Sequence, residues 1–191
     1  MKQVLFLTSL LVLFRLNAQT VNIANADFLA GNYRFSGASP IAGASVVNQG
    51  NIRIADRGLA ALVAPWVSNS GLIQARLGRI AVAGAQTFTL DLYGDQLLSF
   101  DTGALVGASG APADGSALVN NSGTLSADGG SVLLSARAVE GVVNNVINMD
   151  GMVEARSVSV VNGEIILDGG ETGIVSVAGT LDASGRAAGE T

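Results

Sequence analysis

The chain has 191 residues and a mass of 19.2 kDa, enough for one domain with a sizeable core. Hydrophobic residues make up 49% and 25 residues are glycine, whereas aromatics reach 5% and charged residues 13%, so any core is thin and built from Val, Ile, Leu and Ala. Ten basic against fifteen acidic residues, with Lys2 the sole lysine, argue against a nucleic-acid-binding surface, and the absence of Cys removes disulfides and thiolate metal sites.

At the amino terminus, Met1-Lys2 precedes an apolar run from Val4 to Phe14, broken by Thr8 and Ser9, and then Leu16-Asn17-Ala18-Gln19. Such a run is too short for a helix across a hydrocarbon core of about 30 Å. Residues 1–19 read as a secretory signal peptide with Ala18 as the small residue near the cleavage point. Arg15 and Leu16 fit the alternative better, a buried strand at an aberrant internal start. Residues 20–191 are expected to form a single domain.

From there the chain repeats itself. Aligned on Gly50, Gly71, Gly123, Gly151 and Gly179, the residue four before is Val46, Val67, Val119, Ile147 and Val175. The residue two after is Ile52, Ile73, Leu125, Val153 and Leu181, and four after stand Ile54, Ala75, Ala127, Ala155 and Ala183. A unit of this size cannot bury its own apolar face and must stack on its neighbours. The pattern predicts an all-β fold, a right-handed parallel β-helix whose coils have three short strands each. Alternation places Ile80 and Val82, Val132 and Leu134, and Ile165 and Leu167 inward as further ladders. Each buried Val, Ile or Leu contributes roughly 1.5–3 kcal/mol. Helix is disfavoured throughout, because glycine and β-branched residues abound and no long stripe of period 3.6 appears.

The interval between Gly71 and Gly123 is too long for one coil. Its excess falls between Ala85 and Ala117, where Gln86-Thr87-Phe88-Thr89-Leu90-Asp91-Leu92-Tyr93-Gly94-Asp95 alternates as a strand and passes into a Gly/Ala/Pro-rich loop ending near Asp114-Gly115. An antiparallel hairpin or lateral excursion over residues 85–117 is expected, with Phe88, Tyr93 and Phe100 packing on a flank.

Asn48, Asn69 and Asn121 each stand two residues before an aligned glycine. Asparagine tolerates left-handed backbone, and its amide can bond to the next amide in the stack, so a corner ladder is expected rather than a ligand site.

Chemical groups are sparse. The chain has no His, which removes Ser-His and Cys-His pairs and histidine metal centres, and it has neither a phosphate loop ending in Lys nor a Gly-x-Ser-x-Gly elbow. The carboxylates that could serve sugar cleavage as acid and base are Asp168 with Glu171, or Asp150 with Glu154. Asp168-Gly169-Gly170-Glu171, Asp128-Gly129-Gly130 and Asp182-Ala183-Ser184-Gly185 read instead as turns, the latter two without a partner. No Asp-x-Asp-x-Asp-Gly calcium loop occurs. Trp66, Tyr33 and Arg34 are candidates for a binding patch, with Trp66 read as a flank residue at a coil corner. No catalytic, cofactor or metal residue is assigned.

Several stretches together resemble one family. They are Asn25-Ala26-Asp27-Phe28-Leu29-Ala30-Gly31-Asn32-Tyr33-Arg34-Phe35, Ala61-Leu62-Val63-Ala64-Pro65 followed by Val67-Ser68-Asn69-Ser70-Gly71, Leu90-Asp91 ahead of Gly94-Asp95, and Leu133-Leu134-Ser135-Ala136-Arg137. Over roughly residues 21–185 the chain resembles the filamentous haemagglutinin family of two-partner secreted exoproteins. That resemblance implies the amino-terminal secretion domain, truncated at its own amino terminus. It also implies a right-handed parallel β-helix and recognition by an outer-membrane transporter of the Omp85 type with POTRA domains. Delivery through the periplasm to the surface of a Gram-negative cell follows, with host receptors or glycans as adhesion targets. The family's Asn-Pro-Asn motifs are not present, since the only prolines are Pro40, Pro65 and Pro112, so no partner-binding residue carries over. The expectation is a non-enzymatic secretion and adhesion domain; the alternatives are a carbohydrate-active β-helix enzyme and a non-functional gene fragment.

Overall fold

Three parallel sheets, each built from one strand per coil, form the walls of the molecule. The computed structural model describes residues 21–22, 24–35, 37–38, 42–89, 99–100 and 105–185. Ahead of the coils lie β1 (Val21–Asn22), α1 (Asn25–Leu29), β2 (Arg34–Phe35) and β3 (Gly37–Ala38). The first coil is β4 (Ser45–Asn48), β5 (Asn51–Arg53) and β6 (Leu59–Ala64), and the second is β7 (Trp66–Asn69), β8 (Leu72–Gln74) and β9 (Arg79–Gly84). Two short strands, β10 (Phe88–Thr89) and β11 (Ser99–Phe100), interrupt the series. The third coil is β12 (Val119–Asn121), β13 (Thr124–Ser126) and β14 (Ser131–Ala136), and the fourth is β15 (Ile147–Met149), β16 (Met152–Glu154) and β17 (Glu164–Asp168). A fifth begins with β18 (Val175–Val177) and β19 (Thr180–Asp182).

The sheets run β4-β7-β12-β15-β18, β5-β8-β13-β16-β19 and β6-β9-β14-β17, parallel throughout. This is a parallel β-helix. The register matches the glycine alignment residue for residue. Val46 pairs with Val67, which pairs with Val119, then Ile147, then Val175. On the second wall Ile52, Ile73, Leu125, Val153 and Leu181 align in the same way. On the third, Ile80 and Val82 lie beside Val132 and Leu134, which lie beside Ile165 and Leu167. These side chains fill the interior, where Val67, Ile73, Leu125, Val132 and Leu134 are fully buried.

The four later aligned glycines are required by space and not by dihedral angle. A Cβ at Gly71 would fall on the Gly50 carbonyl oxygen, one at Gly123 on that of Gly71, one at Gly151 on that of Gly123, and one at Gly179 on that of Gly151. None of these five has positive φ. Among the described residues the left-handed positions lie elsewhere, at Arg57, Leu77, Ser159 and six other glycines. The asparagines of the ladder are likewise not left-handed. They end strands β4, β7 and β12, which corrects the expectation that a left-handed corner would select them.

The lateral excursion is present in part. β10 pairs antiparallel with both β11 and β2, and Phe88 stacks on Phe35 with ring centroids 4.4 Å apart. Residues 90–98, which include Tyr93, lie outside the described residues, as do residues 1–20 with the expected signal segment. The returning loop runs beside the coil, where Val106 bridges Ala138 in parallel. Helix is not wholly absent: Asn25–Leu29 forms a single turn. It has no side-chain cap and buries none of its residues, and Phe28 packs edge-on against Tyr33 at 5.5 Å. No helix among the described residues is long and apolar enough to cross a membrane.

Candidate functional site

The carboxylates singled out from the sequence are held by local partners. Asp168, at the end of β17, accepts from the backbone N–H of Gly170 at 2.9 Å, from Arg137 at 3.0 Å and from the Ser135 hydroxyl at 3.3 Å. Burial works to raise its pKa, but the Gly170 N–H, Arg137 and Ser135 together outweigh it and hold the carboxyl below its usual range. Glu171 lies across the same turn, in a depression of about 520 Å³ that Arg137, Glu140 and Thr172 also line. No hydrogen bond or ion pair joins Asp168 to Glu171 among the described residues. Glu154 approaches Arg156 at 3.6 Å, and Asp150 sits exposed in the turn before Gly151.

Asp128 has a partner that the turn reading missed. Arg156, one coil further on, donates through Nε at 3.1 Å and Nη2 at 2.8 Å, and its backbone N–H donates to the same carboxylate at 3.1 Å. The Arg156 side chain is the main reason the Asp128 carboxyl sits below its ordinary range. Two coils earlier, Arg76 pairs with Asp56 at 2.6 Å on the same corner. Arg76, Asp128 and Arg156 share one offset from their aligned glycines, so the alternation of sign was visible in the sequence. Asp182 has no ion pair among the described residues; the Ser184 hydroxyl and N–H lower its pKa. No group of three acidic side chains placed to hold a metal ion occurs among the described residues.

The asparagines form the expected ladder. Asn48 Nδ2 donates to Asn69 Oδ1 at 2.7 Å, and Asn69 Nδ2 donates to Asn121 Oδ1 at 2.7 Å. All three are buried, and the file ends where Asn121 Nδ2 meets the Met149 sulfur at 3.5 Å. Trp66 is half-buried at the start of β7, and its indole N–H donates to the Gly43 carbonyl at 3.0 Å. Tyr33 is half-buried against Phe28, and Arg34 is exposed on β2. The structure does not bring Trp66 into ring contact with Tyr33 among the described residues.

What the geometry does single out is one end of the coil. Strands β17, β18 and β19 pair on one side only among the described residues, as β4, β5 and β6 do at the other end, so each end has a row of backbone N–H and C=O groups and the difference lies in the side chains. The apolar ladders emerge at the end formed by β17, β18 and β19. Leu181 is 41% exposed, whereas Val153 beneath it is fully buried, and Val177 is 45% exposed above the buried Met149. At the opposite end Ile52 is only 4% exposed and Leu62 6%. A second feature is a groove of about 410 Å³ over the outer face of the third wall, bordered by Arg79, Ser131, Leu133, Asn162, Glu164 and Ile166.

Compared with known proteins, the chain matches no protein-family model and no curated sequence.

Proposed function

We propose that the chain is a non-enzymatic secretion and adhesion segment of a filamentous haemagglutinin-like exoprotein. In this reading it passes through an outer-membrane two-partner transporter of the Omp85 type and reaches the surface of a Gram-negative cell. The carrying observation is the inequality of the two ends, Ile52 shielded at one and Leu181 open at the other. Strand edges are unpaired at both ends among the described residues, but only the finish also presents an exposed aliphatic ladder on which a further coil can bury its own. Each segment leaving the transporter docks on an edge already in place, so folding outside the cell proceeds from amino to carboxyl end. The likeness of residues 25–35, 61–71 and 133–137 to that family supports the choice of partner. Engagement of Asp168 by Arg137 and of Asp128 by Arg156 favours a structural use of the carboxylates over a paired acid and base.

The test is co-expression in a Gram-negative host with an outer-membrane two-partner transporter. The protein is expected in the medium or on the cell surface. Retention in the periplasm with the transporter present, or equal release without it, overturns the export reading and leaves the fold untouched.

A further inference from the structure

Among the described residues the corner between the second and third walls is turned four times, and the fourth turn differs. In the first three coils a glycine closes it by donating its N–H three residues back: Gly58 to Ala55 at 3.0 Å, Gly78 to Ala75 at 2.9 Å and Gly130 to Ala127 at 2.8 Å. The fourth coil has Ala155 and Gly163 at the equivalent places, since Glu164 pairs with Ser131 and its N–H bonds to the Gly130 carbonyl. Residues 158–162 are inserted between them. They form a tight turn in which Val158 and Val161 exchange N–H···O bonds of 2.9 and 3.0 Å, with Ser159 at φ +57° and Val160 92% exposed at the tip.

The insertion lengthens the chain between the glycine and its usual partner: Gly163 still packs against the Ala155 carbonyl but no longer donates its N–H to it. Among the described residues the Gly163 N–H donates to nothing, and the exposed Asn162 amide before it has no hydrogen-bond partner either. The ladder asparagines have such partners. Asn162-Gly163 is also the only Asn-Gly step in the sequence.

We propose that Asn162 is a site of spontaneous deamidation. The Gly163 backbone nitrogen attacks Asn162 Cγ; the new N–Cγ bond forms, the Cγ–Nδ2 bond breaks, and ammonia leaves with the backbone amide proton. Water then opens the resulting succinimide at either carbonyl, giving an aspartyl or an isoaspartyl linkage. Glycine favours the closure because no side chain crowds the attacking nitrogen, and asparagine is among the thermolabile residues for this reason. The product places a new carboxylate beside Glu164 at the lip of the groove that Arg79 borders. The isoaspartyl form also lengthens the main chain by one atom immediately ahead of the edge strand β17.

The experiment is prolonged incubation of the folded 191-residue chain in mildly alkaline buffer, followed by peptide mapping with mass spectrometry and enzymatic isoaspartate methylation. Conversion is expected at Asn162 roughly tenfold or more ahead of Asn48, Asn69 and Asn121, reflecting a backbone N–H free of its hydrogen bond. Two products are expected from that one peptide, and Asn162→Gln abolishes the early phase. Conversion at Asn162 no faster than at the ladder asparagines overturns the proposal. So does rapid conversion in a urea-unfolded sample with none in the folded one, since the corner then protects the step.

Discussion

Asn69 joins residues far apart in the sequence: its Oδ1 accepts from Asn48, 21 positions earlier, and its Nδ2 donates to Asn121, 52 positions later, both at 2.7 Å. Asn69→Ala strands a buried donor on one side and a buried acceptor on the other. Each unsatisfied group costs about 1–3 kcal/mol, so the variant is expected to lose about 2–6 kcal/mol in urea unfolding. Asn121→Ala is expected to lose less, because beyond Asn121 the next coil offers only the weak acceptor Met149, the amide otherwise bonding locally to the Gly123 carbonyl at 3.3 Å. Equal losses would show that the file does not act as a connected unit.

The second ladder predicts a gradient along the axis. Leu125 is fully buried in the third coil, and its truncation to alanine should cost about 2–5 kcal/mol. Leu181 occupies the same column but is 41% exposed, and Leu181→Ala should cost less than about 1 kcal/mol. Parallel denaturation of the two variants measures the difference.

Glycine substitution separates crowding from open space. Gly123→Ala directs a methyl group into the Gly71 carbonyl, and because that contact is backbone on backbone no side chain can yield. A loss of about 3 kcal/mol is expected, at the upper end for overpacking. At Gly107 nothing lies within 4 Å of the added carbon, so Gly107→Ala should leave thermal unfolding unchanged.

Acid should loosen the corners first. Asp128 and Asp168 both have folded pKa values below the ordinary one, the first through Arg156 and the second through Gly170 and Arg137 against the opposing pull of burial. A depressed folded value stabilises above the unfolded pKa of about 3.9 and loses that contribution as pH falls through the folded value. Unfolding midpoints should therefore be flat near neutrality and fall below about pH 4. Partial exposure of these pairs keeps the effect small, about 1 kcal/mol or less for each. Asp168→Asn should flatten part of the decline, and an unchanged acid limb in that variant would refute the assignment.

The coil was legible because its register is written twice, once in the glycine that permits close approach and again in the aliphatic two positions later. Both are local signals repeated at every turn, so Ile52, Ile73 and Leu125 could be aligned without knowing any contact. Pairing outside the repeat was not legible. β2 finds β10 across more than fifty residues, and no single-strand pattern in Arg34–Phe35 specifies that partner. The helical turn at Asn25–Leu29 escaped because it is one turn long with no cap and no buried face, leaving neither periodicity nor boundary to detect. Asp128 was read correctly as a corner residue but without Arg156, because the partner lies one coil away and emerges only when the glycine offsets are compared.

The segments that separate equivalent positions differ in length, 21, 52 and 28 residues between successive members of the Asn48, Asn69, Asn121 and Met149 column. Each nevertheless advances the stack by one strand spacing, about 4.8 Å. Extra residues leave sideways at the bends and add nothing to the height. The molecule therefore keeps its length in turns and not in amino acids, and a foreign peptide spliced into the bend at residues 158–162 would ride on the outside while the distance between the two ends stayed the same.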